Sequence, residues 1–288
     1  MPADAFTPEH PYQTIQAPSP YRELAAHLPN RVGIGGALIT MVEPDPGHEA
    51  DYNRWYEDDH FYAGATVGPW MFAGRRWVAP LELRRLRFPD DSPIASPVTK
   101  GCYISTYLAL EGHFDDVVAW GIVMMRDHLR PYGRGFDHRE HVFTSFSGYE
   151  FGVVRDDMPY LLPHHVLDHP FQGLVVEVLE RTDDVTGAEM KDRLRERLIP
   201  EDLSGSPAAA VLAFTPSSLP RGAAVTERNL TLLWFLQTDP RAAWPQFQAH
   251  TALAERAGAR LVFAGGFIPT IPGTDAYVDE LRSAERNP

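Results

Sequence analysis

The spacing of apolar residues predicts that the first half of the chain alternates strands with amphipathic helices. A charged and Pro-rich stretch, residues 81–97, predicts a loop or insertion within this half. The predicted elements are a strand over Val32–Val42, a helix over about Glu49–Ala63, strands over Met71–Val78 and Gly101–Leu110, a helix from Asp115 that ends at Pro131, and a strand over His141–Val154.

The same order of elements returns after a Pro- and His-rich connector over Pro159–Pro170. The predicted strands are Leu174–Leu179, Ala209–Phe214, Asn229–Gln237 and Arg260–Phe267, the helices are Thr186–Leu198 and Arg241–Ala257, and Thr215–Gly222 is a turn-rich segment. Two β-α-β-β-α-β units predict an α+β protein made of tandem ferredoxin-like folds. Each unit leaves one apolar sheet face uncovered, so we expect the two units to pack face to face as a barrel within one chain.

These patterns divide the 288 residues into four parts. Residues 1–30 are a Pro-rich leader, and residues 31–158 are the first ferredoxin-like unit, where we place the active site. Residues 159–170 are the connector, and residues 171–288 are the second unit, which we expect to be a scaffold that completes the barrel.

Composition restricts the possible partners. The chain has 26 basic and 39 acidic side chains, so its formal net charge is 26 − 39 = −13, which disfavours nucleic acid and anionic membrane surfaces. Cys102 is the only cysteine, so the chain has no intrachain disulfide and no thiolate zinc cluster. The leader has no apolar run behind a positive start, which predicts a cytoplasmic protein. We expect a monomer or a weak homodimer.

Familiar nucleotide and hydrolase motifs are absent from the sequence. Gly33-Ile34-Gly35-Gly36 has Leu38 where a dinucleotide fingerprint needs its third glycine, and it enters a predicted strand rather than a helix. The sequence contains no phosphate-binding loop and no serine in a nucleophile elbow.

The informative segment is Trp55–Tyr62, Trp-Tyr-Glu-Asp-Asp-His-Phe-Tyr. On a helix, His60 lies one turn beyond Tyr56 and two turns beyond Tyr52 or Asn53, so an imidazole, a phenol and an amide share one face. An imidazole of ordinary pKa, about 6.5, accepts a proton near neutral pH, while a phenol or guanidinium stabilises an oxyanion. A half-buried aromatic helix with His60 paired to Asp59 or Glu57 is the alternative.

This helix, together with the following strand Phe72-Ala-Gly-Arg-Arg-Trp77, resembles the EthD-like branch of the dimeric α/β-barrel superfamily. The resemblance covers Leu38–Val78, and the second half is similar in element order alone. The usual spacing from the aromatic residue to the histidine is one residue shorter in that branch, which Tyr56 satisfies better than Trp55. The superfamily includes olivetolic acid cyclase, muconolactone isomerases and cofactor-free quinone-forming monooxygenases, mostly homodimers of single units.

The resemblance implies a cofactor-independent lyase, cyclase or isomerase acting on an apolar oxygenated small molecule, such as a polyketide or an aromatic catabolite. His60 would move a proton next to a carbonyl, and Tyr56 with Arg75 or Arg76 would stabilise the enolate. The residues expected to line the substrate pocket are mostly aromatic or contain sulfur: Tyr52, Trp55, Phe72, Trp120, Met124, Met125 and His128.

Three alternative functions remain open. The same base could serve a cofactor-free monooxygenase of phenolic substrates, or the pocket could only carry a hydrophobic ligand. The superfamily also contains haem proteins, so a haem enzyme is a further alternative. We expect no metal site, although the spacings of five histidines are compatible with one: His138, His141, His164, His165 and His169. The matching helix of the second unit has no histidine or tyrosine, and we expect His250 to be a surface or helix-packing residue.

Overall fold

The computed structural model describes residues 20–25, 27 and 31–282, so most of the leader lies outside the described residues. The strands are β1 (Ile34–Pro44), β2 (Met71–Val78), β3 (Tyr103–Leu110), β4 (Arg139–Val154), β5 (Gly173–Arg181), β6 (Ala208–Gly222), β7 (Asn229–Leu236) and β8 (Ala259–Pro269). The helices are α1 (Pro20–Ala25), α2 (Glu49–Trp55), α3 (Leu81–Arg85), α4 (Phe114–Val123), α5 (Gly187–Arg193), α6 (Ile199–Leu203), α7 (Pro240–Gln248) and α8 (His250–Ala257).

The strands form one closed antiparallel barrel in the order β1-β3-β2-β8-β5-β7-β6-β4. Read in the same sense around the barrel, the order within the first unit is β4-β1-β3-β2 and within the second it is β8-β5-β7-β6, so corresponding strands occupy corresponding places. Each unit therefore has the ferredoxin-like strand order, and the expected α+β tandem of ferredoxin-like units in one barrel is confirmed.

The strand alternation sends one set of side chains into the barrel and the other toward the helices. Ile39, Trp77 and Phe143 of the first unit share an interior core with residues of the second unit such as Phe235 and Phe263. This shared core holds the two units together. The faces toward the helices form two separate clusters, one for each unit.

Two seams join the units, and they differ in length. β4 and β6 pair from Phe143 opposite Gly222 to Val154 opposite Ala210, with several bulges. β2 and β8 pair only at Trp77 opposite Pro269 and Val78 opposite Ile268. The first half of β2 is therefore not paired with β8.

Several segments differ from the predictions. Thr215–Gly222, predicted to be turn-rich, belongs to β6 and pairs with β4. The predicted helix Arg241–Ala257 is broken into α7 and α8 at Ala249. The stretch 81–97 begins with α3, and Ile94 and Ala95 from its loop are buried in the barrel core.

Among the described residues, no helix combines the length and the apolar character that a membrane span requires. The same part of the chain contains no group of three or more histidine, cysteine, aspartate or glutamate residues that could hold a metal ion. The five histidines do not form one cluster: His138 stacks on His48, His141 contacts Thr144, and His165 contacts His164 and accepts a hydrogen bond from the Leu162 amide.

Candidate active site

Helix α2 continues beyond Trp55 in π-helical turns over Tyr56–His60 and Tyr62–Thr66. Such turns are uncommon and occur frequently at functional sites. Tyr52 and Tyr56 are buried against the sheet, and the His60 ring meets Tyr56 edge to face at a centroid distance of 5.2 Å. The face predicted from the spacing of these three residues therefore does point inward.

The interface between α2 and the sheet is rich in tyrosine. Tyr52, Tyr56, Tyr103, Tyr107 and Tyr277 are all buried in one cluster. The hydroxyls of Tyr56 and Tyr107 lie 2.5 Å apart in a hydrogen bond in which either oxygen can be the donor. One hydrogen joins the two oxygens, so the second hydroxyl hydrogen remains available to a ligand. Burial raises the pKa of Tyr107 well above its ordinary value, which keeps the Tyr107 hydroxyl protonated.

Arg76 of β2 lies under the same rings. Its side chain is 4% exposed, and its Cζ atom is 4.5 Å from the Tyr56 ring centroid and 4.4 Å from that of Tyr103. Nη1 donates to Asn53 Oδ1 at 2.7 Å and lies 3.4 Å from Glu57 Oε1. Nε and Nη2 are buried without a hydrogen-bond partner in the described structure. The guanidinium is therefore fixed through one nitrogen and unsatisfied at the other two.

The C-terminal segment after β8 completes the support of Arg76. The Tyr277 hydroxyl donates to Asn53 Oδ1 at 2.9 Å or to Glu57 Oε1 at 3.1 Å. Glu57 Oε2 accepts from the Gly273 amide at 2.8 Å. The Glu57 carboxylate is thus fully engaged, which makes it a positioning residue rather than a free base.

His60 is held as a neutral imidazole. Its ring stacks on Trp55 at a centroid distance of 4.2 Å, and neither ring nitrogen has a hydrogen-bond partner among the described residues. Burial, with a smaller contribution from Arg139, lowers the pKa of His60 to about 3. Carboxylates nearby do not offset this, since Asp59 pairs with Arg134. At neutral pH the His60 ring is neutral and can accept a hydrogen bond, but its low pKa makes it a weak base.

A cavity of about 470 Å³ opens beside Tyr56 and Arg76, where β2 is not paired with β8. Its wall also includes Phe61, Tyr62 and Gly74, and residues of the connector and of the segment after β8 close it. This volume lies in the usual range for small-molecule sites. His60 contacts Tyr56 but is outside the lining of this cavity.

Arg75 has a different position from Arg76. Its neighbour in the register, Thr106, faces the barrel interior, and the Arg75 side chain donates to the carbonyls of His169, at 2.5 Å, Leu167 and Phe171. Arg75 therefore binds the connector through its guanidinium and also contributes to the lining of the cavity. Of the two arginines considered for enolate stabilisation, the structure places Arg76 beside Tyr56.

Searches with the sequence match no protein-family model and no curated protein. Solved structures do share the architecture. An anthrone oxidase-like protein has a TM-score of 0.52 at 9% identity, covering 83% of this chain and 92% of its own. A putative chlorite dismutase has a TM-score of 0.52 at 12% identity, covering 87% and 98%. A DypB variant of Rhodococcus jostii RHA1 in complex with heme has a TM-score of 0.50 at 10% identity, covering 82% and 94%.

The chain has the dimeric α/β-barrel fold. The fold expected from the EthD-like resemblance is thereby confirmed, with both units supplied by one chain. At such low sequence identity, these similarities establish the fold and not the chemistry.

The second unit of this α/β barrel has a filled interface between sheet and helices. Leu232, Trp234, Trp244 and Phe247 are buried there. His250 is also buried, so the alternative of a surface residue is wrong and that of a packing residue is correct.

A buried charge cluster includes His250. Its Nδ1 atom lies 2.8 Å from Glu177 and its Nε2 atom 3.2 Å from Asp202, and these carboxylates raise the pKa of His250 to about 10 despite its burial. Trp234 Nε1 donates to Glu177 at 2.7 Å.

The two helix histidines that face the sheets do not fit a haem. Both nitrogens of His250 face carboxylates, so neither is free to bind iron. His60 is stacked on Trp55, and a Cβ atom added at Gly64 would lie 2.6 Å from Nδ1 of His60, so that nitrogen has no open side. The acid/base chemistry of this site involves no haem.

The remaining predicted pocket residues lie outside the cavity lining. Trp55 Nε1 donates to the Arg134 carbonyl, and Trp120 packs near Gly68. Phe72 is 38% exposed. On the second helix of the unit, Met124 and Met125 are half-buried in the π-helical turns after α4, whereas His128 is exposed.

Three residues of this site were not predicted as functional from the sequence: Tyr107, Glu57 and Tyr277. Tyr107 had a signal, because Tyr103, Ser105 and Tyr107 alternate on the face of β3 toward the helix. Glu57 was considered only as a partner for His60. Tyr277 had no local signal, since its role depends on how the chain folds back after β8.

Proposed function

We propose that this protein is a cofactor-independent acid/base enzyme, a lyase, cyclase or isomerase, that acts on an apolar oxygenated small molecule. One observation carries the proposal: the ring of Tyr56, whose hydroxyl is hydrogen-bonded to that of Tyr107, contacts both a neutral imidazole and a buried guanidinium beside a cavity large enough for such a molecule. Groups whose surroundings separate their pKa values in this way suit opposite roles in proton transfer.

The proposed reaction uses the neutral ring of His60 and the hydroxyl groups of the two tyrosines. His60 is neutral at pH 7 but, with a pKa of about 3, is a weak base. It takes a proton from the carbon next to a carbonyl of the substrate as the enolate forms, because the negative charge that develops beside the imidazole raises its pKa. The electron pair of the broken C–H bond moves onto the carbonyl oxygen and forms an enolate. The free hydroxyl hydrogen of the Tyr56–Tyr107 pair donates to that oxygen, and the charge of Arg76 favours it. Return of the proton at another atom completes an isomerisation.

The position of Tyr56 makes this division of roles possible. His60 and Arg76 both contact the ring of Tyr56. A ligand in the cavity meets Tyr56 and Arg76 directly, and it reaches Nε2 of His60 through a displacement of the cavity wall, because His60 is outside the lining. The aromatic side chains of Phe61 and Tyr62 give the cavity an apolar wall.

Deuterium exchange tests the proposal before the natural substrate is known. We expect the protein to accelerate exchange of the protons next to the carbonyl of 2-tetralone in D₂O, followed by NMR. His60→Gln should lower the enzymatic rate by roughly 100-fold or more, as for loss of a general base. Tyr56→Phe should lower it less, because Tyr107 keeps one hydroxyl. Arg256→Gln, which changes an exposed ion pair in the second unit, is the matched control. Equal exchange by the wild type and His60→Gln would contradict the proposal.

A cofactor-free monooxygenase is the second candidate, favoured by the fold shared with an anthrone oxidase-like protein. The same proton removal from anthrone would give a carbanion that reacts with O₂, forming anthraquinone and water. Oxygen uptake with anthrone separates this activity from proton transfer alone. Binding of 2-tetralone and anthrone without exchange or oxygen uptake would instead identify a ligand-binding protein.

A further inference from the structure

The unsatisfied edge of Arg76 has a specific shape. A guanidinium presents five N–H donors in a planar fork, and Nε and Nη2 together form one of its two-pronged edges. Nη1 is occupied by Asn53 and Glu57, whereas Nε and Nη2 have no acceptor in the described structure. Buried donors without partners are strongly unfavourable, and those of a charged group most of all.

The surroundings leave this edge few acceptors within the protein. Tyrosine rings cover the faces of the guanidinium, with Tyr56 and Tyr103 centroids at 4.5 and 4.4 Å. The Tyr103 hydroxyl is likewise buried without a partner. The Glu57 carboxylate, the nearest anion, is held by Arg54, Tyr277 and the Gly273 amide. An acceptor for the free edge must therefore come from outside these residues, and Arg76 lines the cavity through which it would enter.

We propose that the ligand of this cavity carries a carboxylate, which binds side-on to Nε and Nη2 of Arg76 while its apolar part lies against Phe61 and Tyr62. The two oxygens of a carboxylate match the spacing of a guanidinium edge, and the resulting pair of parallel hydrogen bonds is stronger than bonds between neutral groups. In the present arrangement water does not reach Nε or Nη2, so the carboxylate enters with a small displacement of the cavity wall.

This inference deepens the proposed function, since it names the substrate class of the same site as an aromatic or polyketide acid. Binding of the carboxylate is nevertheless separate from proton transfer. The fork of Arg76 binds the carboxylate in the ground state, whereas His60 and the tyrosine pair act on the reacting carbon and oxygen. Binding and turnover can therefore fail independently.

Calorimetric titration of the full-length protein with 2-naphthoate and with its neutral analogue 2-naphthamide tests the inference. We expect 2-naphthoate to bind roughly 10- to 100-fold more tightly, as for hydrogen bonds to a buried charged group. Arg256→Gln, which changes an exposed ion pair in the second unit, is the control for loss of a surface arginine and should bind 2-naphthoate like the wild type.

Two variants of Arg76 complete the experiment. Arg76→Gln removes the charge and the fork, and Arg76→Lys keeps the charge without the planar fork, so both should lose most of the preference for the acid over the amide. Thermal melting verifies that each variant is folded. The comparison of the two ligands on the wild type does not depend on either variant.

Equal affinity of the wild type for the acid and the amide would overturn the inference, as would an unchanged preference in folded Arg76→Lys or no binding of 2-naphthoate at millimolar concentration. If the acid is preferred but 2-tetralone undergoes no catalysed exchange, the carboxylate site stands and the proposed acid/base function fails. Exchange of 2-tetralone without a preference for the acid would show the reverse.

Discussion

The ionisation of His60 gives the most direct test of the site, because it needs no substrate. Burial and Arg139 lower its pKa to about 3. At pH 5 an imidazole with that pKa is about 99% neutral, whereas one with the ordinary pKa of about 6.5 is only about 3% neutral. The two cases differ by about 30-fold in the concentration of the base.

NMR titration of the imidazole Cε1–H signals measures this difference. The chain has 12 histidines, and loss of one signal in His60→Gln assigns the signal of His60. We expect it to keep the shift of a neutral ring from pH 8 to pH 5. His250, whose pKa is raised to about 10, should keep the shift of a protonated ring over the same range. A midpoint for His60 near 6.5 would refute the reasoning that burial keeps it neutral.

The same shift has a consequence for stability. Between pH 6.5 and pH 3 the unfolded chain binds a proton at His60 that the folded chain does not, so acid favours unfolding. From pH 6 to pH 5 the wild type should lose about 1 kcal/mol more unfolding free energy than His60→Gln. Urea denaturation at the two pH values gives both numbers, and parallel losses would contradict the burial of the ring.

Four further predictions concern groups around the site and the scaffold. Glu177→Gln leaves buried His250 with one carboxylate fewer, and we expect a loss of about 3–5 kcal/mol in urea denaturation; a loss below about 1 kcal/mol would count against the buried ion pair. Because the pKa of His250 is raised to about 10, its stabilising contribution is complete below pH 6.5 and disappears as the pH rises through 10; His250→Gln should therefore flatten the alkaline loss of stability. Arg75→Gln removes the donors to three connector carbonyls, so proteolysis within residues 163–171 should accelerate, and an unchanged cleavage rate would show that these bonds do not hold the connector. Gly64→Ala places a methyl group 2.6 Å from the His60 ring, so the Cε1–H signal of His60 should move and exchange of 2-tetralone should slow, while an unchanged spectrum would contradict the packing.

The sequence predicted the elements of this fold well where local patterns determine structure. Met71–Val78 was predicted with the bounds that the structure has, because apolar residues and a preceding Gly-Pro mark it clearly. The prediction of a turn-rich segment at Thr215–Gly222 was wrong, because pairing with β4 determines the structure of this segment. Pro216 and Gly222 read as breakers, yet Pro216 lies opposite Ser147 beside a register shift of the β4–β6 pair, where a missing N–H is tolerated.

The candidate site was predictable only in its helical part. The spacing of Tyr52, Tyr56 and His60 determines that they share a face, and the structure has them on the inward face. The sequence did not show which of Arg75 and Arg76 lies beside Tyr56. Strand alternation puts the two arginines on opposite faces of β2, and only the register with β3 shows which face meets Tyr56. The contact of Tyr277 with Glu57 joins residues 220 positions apart, which no local pattern encodes.

The unequal seams show what fusion of the two units makes possible. In a homodimer with twofold symmetry, the joints on opposite sides of the barrel are copies of each other, so opening one to a ligand opens the other and weakens the assembly twice. A single polypeptide is free of this constraint. Here the long pairing of β4 with β6 holds the two units together, while the short pairing of β2 with β8 leaves an opening into the cavity next to Arg76. Mutations can therefore widen or reshape this opening for new ligands without weakening the pairing of β4 with β6.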